Sequence, residues 1–144
     1  MSRSILSMVT FLALTTLAGS LCHADADEPI KLDADTLLKE FRADKDATSK
    51  KYKSKTLEVT GWVRGTANAP AKRREIDLVE AGDSKSKEVI ACIFNKDEAA
   101  SASKITVRRQ VVISGVYKES DAARVLRLED CKIVKVFDPV VPKK

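Results

Sequence analysis

From Leu57 onward the chain alternates. Leu57, Val59, Gly61 and Val63 fall on one side of an extended segment, and Glu58, Thr60, Trp62 and Arg64 on the other. A period of two marks a strand with one face buried. Upstream the period is helical: Leu37, Leu38 and Phe41 form an apolar stripe with Ala34 one turn earlier. That spacing predicts a helix to about residue 43, with Asp33 or Asp35 as its cap. A weaker helical stretch follows over 46–52, with Ala47 and Tyr52 as its few apolar points, and the basic run 50–55 reads as a solvated linker.

Downstream, a second strand is expected over 75–80 with Ile76 and Leu78 inward, and a turn follows at 81–84. A third, over 87–94, is apolar on both faces and should be the best covered. Residues 97–104 begin acidic and end basic, as the dipole of a short helix favours. A fourth strand, from 106 or 110 to 118, carries Val111, Ile113 and Gly115 at the spacing of Val59, Gly61 and Val63. A fifth spans 124–136, with Leu126 and Leu128 inward and a bulge near Glu129 and Asp130 that turns Cys131 and Ile133 inward as well. Three strands, a short helix and two more strands is the order of a five-stranded Greek-key OB barrel. Glycines within the first and fourth strands suit the bends that close so small a barrel. The expected fold is therefore mainly β: an OB-like barrel over 55–136, behind an N-terminal helical segment over 33–54 and followed by a flexible tail over 137–144.

The first residues have another character. Arg3 precedes a run from Ile5 to Leu21 without a charge, and Cys22-His23-Ala24 follows. The run is near the lower limit for a membrane span and is broken by Thr15, Thr16, Gly19 and Ser20. Its place behind one basic residue points to a signal peptide over 1–24, cleaved after Ala24, and so to a periplasmic or secreted protein with no stable span. Lipid attachment at Cys22 is the competing reading, and Leu21 before the cysteine disfavours it. Residues 25–32, acidic and containing Pro29, read as a disordered lead-in.

Cleavage changes the chemistry that remains. The only histidine, His23, leaves with the signal. His-based acid–base or nucleophilic catalysis is then excluded, and the commonest metal ligand is lost. No calcium loop, phosphate loop or zinc spacing is present, so neither a cofactor nor a metal is expected and an enzyme is disfavoured. The whole chain carries a net charge of +5 with both signs intermixed, which permits an acidic partner without requiring one.

The run from Tyr52 to Val63, with Ala91-Cys92-Ile93-Phe94, Gln110-Val111-Val112-Ile113-Ser114-Gly115 and Leu128-Glu129-Asp130-Cys131-Lys132-Ile133, resembles the tRNA anti-like OB-fold family. These are small bacterial proteins, often exported, of largely unassigned function. The resemblance covers about residues 34–135 and implies the OB barrel. It extends to the anticodon-binding barrel of class II aminoacyl-tRNA synthetases through Gly61-Trp62-Val63-Arg64 and Ile76-Asp77-Leu78. That barrel usually stacks a base on an aromatic residue of its second strand. Here the outward positions are Glu75, Asp77 and Val79, and two carboxylates would repel a phosphate backbone.

Candidate ligand-binding residues follow from the alternation. Trp62 points outward, where it is either an open platform or covered by the N-terminal helix or the tail. Arg64 accompanies it, and Lys72, Arg73 and Arg74 in the first loop supply cations for an anion or acidic partner. Cys92 and Cys131 fall on neighbouring strands, both inward, as a candidate disulfide in an oxidising compartment or as two buried thiols. The expected function is an exported binding module without catalysis, its ligand a protein, a glycan or a small anion. Nucleic acid is the alternative, disfavoured by export.

Overall fold

The computed structural model describes residues 28–69, 72–82, 85–119 and 122–138. The expected signal peptide lies outside these residues. The elements are β1 (Ile30–Asp33), α1 (Ala34–Ala43), α2 (Lys45–Tyr52), β2 (Thr56–Ala69), β3 (Arg73–Val79), β4 (Val89–Phe94), α3 (Ala99–Ala102), β5 (Gln110–Lys118) and β6 (Val125–Val136).

Strands β2 to β6 close a five-stranded barrel in the order β2-β3-β4-β6-β5, with β5 returning to β2. Within the barrel all pairings are antiparallel except β4 with β6. The expected OB barrel is thus present. β2 makes closure possible because it serves two neighbours. Its first half pairs with β5 from Thr56 to Trp62, and its second half pairs with β3 from Trp62 to Ala69. A register shift between Val63 and Gly65 marks the change of course. The inward residues of every strand pack into one core, and β4 is buried on both faces as its composition foretold.

The expected lead-in needs correction. Residues 30–32 belong to β1, which adds to β2 in parallel, Ile30 opposite Leu57 and Leu32 opposite Val59. Ile30 and Leu32 pack against the core, so burial of two aliphatic side chains and a row of ladder bonds outweigh the acidic composition upstream. The basic run 50–55 is likewise only partly a linker. Lys50 to Tyr52 finish α2, whose start is capped by Asp44 accepting from the Ala47 N–H at 2.9 Å. Tyr52 is buried, its hydroxyl donating to Glu40, and Ser49 shares a 2.8 Å hydrogen bond with the Tyr117 hydroxyl on β5. Polar contacts therefore fix a helix whose apolar stripe is faint. At the other end, Phe137 still donates its N–H to Gln110 at 3.0 Å, one residue into the expected tail.

Helix α1 stoppers the barrel. Leu37, Leu38 and Phe41 join the same core as the inward strand residues, and Ala34 is buried at its start. Gly61 allows this approach: a Cβ there would sit 3.0 Å from the Ala34 Cβ and 3.2 Å from that of Leu78. Gly61 and Gly115 were expected to serve bends. Neither has a positive φ; Gly115 lies within a register shift between Ser114 and Val116, and both leave space that a side chain would fill.

Candidate ligand-binding site

The outer face of β2 carries the site. Trp62 stands half-buried there, opposite Val79 of β3 and Gln110 of β5. The N-terminal helix leaves its indole partly open. Beyond it lies a recess of about 570 Å³ lined by Trp62, Arg64, Val79, Gly82, Val107 and Arg108. Val107 is 51% exposed and, lining the same recess as the indole, supplies apolar surface there.

Backbone pairing carried past the end of β5 holds this wall in place. Val63 donates its N–H to the Arg109 carbonyl at 2.8 Å, and Arg108 donates its N–H to the Val63 carbonyl at 2.7 Å. Arg108 adopts φ 64°, a left-handed conformation that costs a side-chain-bearing residue about 1 kcal/mol. Its guanidinium is exposed and has no carboxylate partner among the described residues. Arg64 is more constrained. It donates to the Ser86 carbonyl at 2.8 Å and lies 3.6 Å from the Asp77 carboxylate. Glu80, on the opposite wall, is paired with Arg42 of α1.

The structure brings Trp62 and Arg64 together and leaves the first-loop cations apart. Lys72 is exposed at φ 59°, and Arg73 and Arg74 open β3 opposite Ala69 and Asn68. Six residues of strand separate Asn68 from Trp62, about 20 Å. Arg74 folds back on its own hairpin, donating to Asn68 Oδ1 at 2.6 Å and to Thr66 Oγ1 at 3.4 Å. Val79, Gly82, Val107 and Arg108 were not anticipated. The pair Arg108-Arg109 stands in the sequence as a short basic signal, but only the pairing with Val63 shows that it reaches the indole.

Glu75 and Asp77 do face outward, as expected, on the same face of β3, with the small Ala91 between Asp77 and Arg127 in the register. Burial pushes both carboxyls above their ordinary range. The Asp77 charge adds to the rise at Glu75 and Arg127 opposes it, while Arg64 opposes the rise at Asp77. A raised carboxyl is a penalty absent below the unfolded-state pKa and complete above the folded-state one. Glu75→Gln should therefore raise the melting temperature at pH 7 and leave it unchanged at pH 3. Equal melting shifts at both pH values would show that the ionised Glu75 is not the source of the penalty.

Cys92 and Cys131 are both completely buried and stand as separate thiols. Burial pushes the Cys92 thiol well up, and the adjoining Cys131 adds to it. Neither is exposed, as the attacking thiol of redox catalysis needs to be. The described residues contain no cluster of His, Cys, Asp and Glu able to hold a metal ion.

Residues 5–132 match the tRNA_anti-like family model, nearly the whole chain. The chain belongs to the tRNA_anti-like family. Among solved structures, this tRNA_anti-like barrel is similar to a protein from Klebsiella pneumoniae subsp. pneumoniae MGH 78578 described as a "putative nucleic acid-binding lipoprotein". The match has a TM-score of 0.64 and 15% identity, over 74% of this chain and 92% of that one. At that identity the likeness establishes a common fold. A looser likeness is to the asparaginyl-tRNA synthetase of Pyrococcus horikoshii, with TM-score 0.45 and 14% identity over 60% of this chain; it spans 21% of the synthetase. A comparison with curated protein sequences finds no match.

Proposed function

We propose that this tRNA_anti-like protein is an exported OB-fold module that binds, without catalysis, a ligand seated in the Trp62 recess. One observation carries the reading: a half-buried indole and an exposed valine line an open recess, together with the Arg108 guanidinium, which is unpaired among the described residues. Flat or apolar surface satisfies the indole, and an anionic group satisfies the arginine. A ligand combining both chemistries fits best. Trp62 is the only tryptophan, so its fluorescence reports the site directly.

The test is a titration of the purified protein with a ten-residue oligothymidylate and with short acidic peptides, followed by indole emission. A saturable change with one of them is expected, and Trp62→Ala should weaken that binding by about 1–3 kcal/mol without altering the melting temperature. Binding unchanged by Trp62→Ala would place the ligand elsewhere. Single-stranded nucleic acid is the second reading. The aromatic residue beside two arginines favours it, as does the name borne by the Klebsiella protein of similar fold. It requires that log affinity fall linearly with log salt concentration, with a slope set by the phosphates neutralised.

Export rests on the uncharged run from Ile5 to Leu21 and the small residues after it, and the Klebsiella neighbour is itself named a lipoprotein. N-terminal sequencing of protein from the native host should begin at Asp25 in an envelope or extracellular fraction. A start at Met1 would overturn export, and a lipid-bearing Cys22 would keep export but overturn cleavage after Ala24.

In the exported protein Cys92 and Cys131 are proposed to pair as a disulfide, supported by their joint burial and adjacency. The bond would close a loop of about 40 residues and contribute ~3–4 kcal/mol on the loop-entropy model. Mass analysis without reductant should find two hydrogens missing. Two thiols that alkylate after denaturation, in protein taken directly from the host, would exclude the bond.

A further inference from the structure

The recess does not end at Trp62. On the other side of the indole lies a second hollow of about 350 Å³, lined by Asp33, Asp35, Thr36, Thr60, Trp62 and Gln110 among others. A third, of about 260 Å³, shares Asp33, Thr36 and Thr60 with the second and continues toward Lys31 and Leu32. Adjoining hollows share lining residues, Trp62 between the first two and Asp33, Thr36 and Thr60 between the second and third, so together they make a groove along the outer face of β2. Thr60 and Arg64 are four residues apart on that strand, about 13 Å, so the groove accommodates an extended chain of four or five residues.

Its charge changes sign along its length. Arg64, Arg108 and Glu80 lie at one end; Asp77 holds Arg64 and Arg42 holds Glu80, which leaves Arg108 as the cation without a carboxylate partner there among the described residues. Asp33 and Asp35 lie beyond the indole, and neither forms an ion pair among the described residues. Asp33 occupies the N-cap position of α1 yet its side chain makes no capping hydrogen bond, which leaves the carboxylate available. Asp35 accepts the Ala81 N–H at 3.2 Å through one oxygen. Thr36, Thr60 and Gln110 add side-chain donors and acceptors along the path.

A continuous polyanion would place phosphates against Asp33 and Asp35. A compact anion would leave two of the three hollows empty. From the charge gradient and the length of the groove, and resting on the reading of Trp62 as the binding centre, we infer that the ligand is an extended peptide segment. Its carboxylate lies at the Arg108 end, an apolar or aromatic side chain lies on Trp62, and a Lys or Arg side chain lies at the Asp33 and Asp35 end. The groove then reads the order of charges along the peptide as well as its apolar centre.

The test uses the capped pentapeptide Glu-Ala-Leu-Ala-Lys, the same peptide with Gln in place of Lys, and a ten-residue oligothymidylate. Binding to the full protein is followed by 1H–15N shifts of the Trp62 indole and of the Thr36 and Thr60 amides. Loss of the lysine should weaken binding roughly fivefold in the unaltered protein and have no effect in Asp33→Asn with Asp35→Asn. Arg108→Gln should weaken both peptides by a similar factor. Thermal melting of each variant confirms that it is folded. Lysine removal without effect on the unaltered protein would overturn the peptide assignment. So would an oligothymidylate that moves Thr36 and Thr60 together with the indole, although that outcome leaves Trp62 as the binding centre. An indole that no probe moves would overturn both.

Discussion

Leu38→Ala should destabilise the protein by about 3 kcal/mol, a fall in melting temperature on the order of 15 °C for a domain of this size. Leu38 lies on α1, outside the barrel in sequence, and is nevertheless fully buried within the barrel core. Truncation removes three carbons from a site bounded by strand side chains on one side and by the helix on the other. Little can move in to fill the space, because β2 is tied to β5 and β3 along its whole length. Denaturant unfolding of Leu38→Ala against the unaltered protein checks this. A loss below about 1 kcal/mol would mean that α1 only rests on the barrel, since surface substitutions commonly cost no more than that.

Gly115→Ala is the second large effect, and its cause is the opposite one. A Cβ at Gly115 would sit 2.7 Å from Cys131 Sγ, 3.2 Å from the Glu129 carbonyl oxygen and 3.2 Å from the Leu128 Cβ. The sulfur is buried and Glu129 is backbone at a register shift, so neither yields cheaply. Overpacking of this kind costs about 2 kcal/mol. Serine in place of Cys131 would not relieve the clash, whereas in the reduced protein, where no disulfide is lost, Gly115→Ala combined with Cys131→Ala should recover much of the loss. A double-mutant cycle by chemical denaturation measures that coupling. Additive losses would show that the Cys131 sulfur is not what Gly115 makes room for.

Much of the barrel was legible because periodicity reports which face of a strand is buried. Leu57 to Val63 alternate and are found alternating; Leu37, Leu38 and Phe41 keep helical spacing and are found on one buried face. Even the bulge at Glu129 and Asp130 left a trace, since Cys131 and Ile133 fall out of phase with Leu126 and Leu128. Asp130 adopts φ 52° there. β1 left no comparable trace: two apolar residues in a four-residue strand cannot establish a period, and its parallel partner lies 27 residues away in sequence.

The site was legible only in part, and for a related reason. Alternation placed Trp62 and Arg64 outward together but carried no information about which loops approach them. Lys72, Arg73 and Arg74 formed the stronger basic signal in the sequence. The hairpin register puts them about 20 Å along the strand from the indole. Arg108 and Val107 reach Trp62 through two backbone hydrogen bonds to Val63, an arrangement no side-chain pattern records. Glu75 and Asp77 were correctly placed facing outward, but the partial burial that raises their pKa values is not read from alternation.

The decisive measurement is a comparison of Trp62→Ala with a variant carrying Lys72→Ala and Arg73→Ala, titrated by calorimetry with the charged pentapeptide and with the oligothymidylate. If the Trp62 recess is the binding site, the first variant loses roughly tenfold or more in affinity for whichever probe the unaltered protein binds, and the second stays within about twofold. The reverse order, with affinity surviving loss of the indole and falling on loss of the two cations, would move the site to the first loop and contradict the assignment.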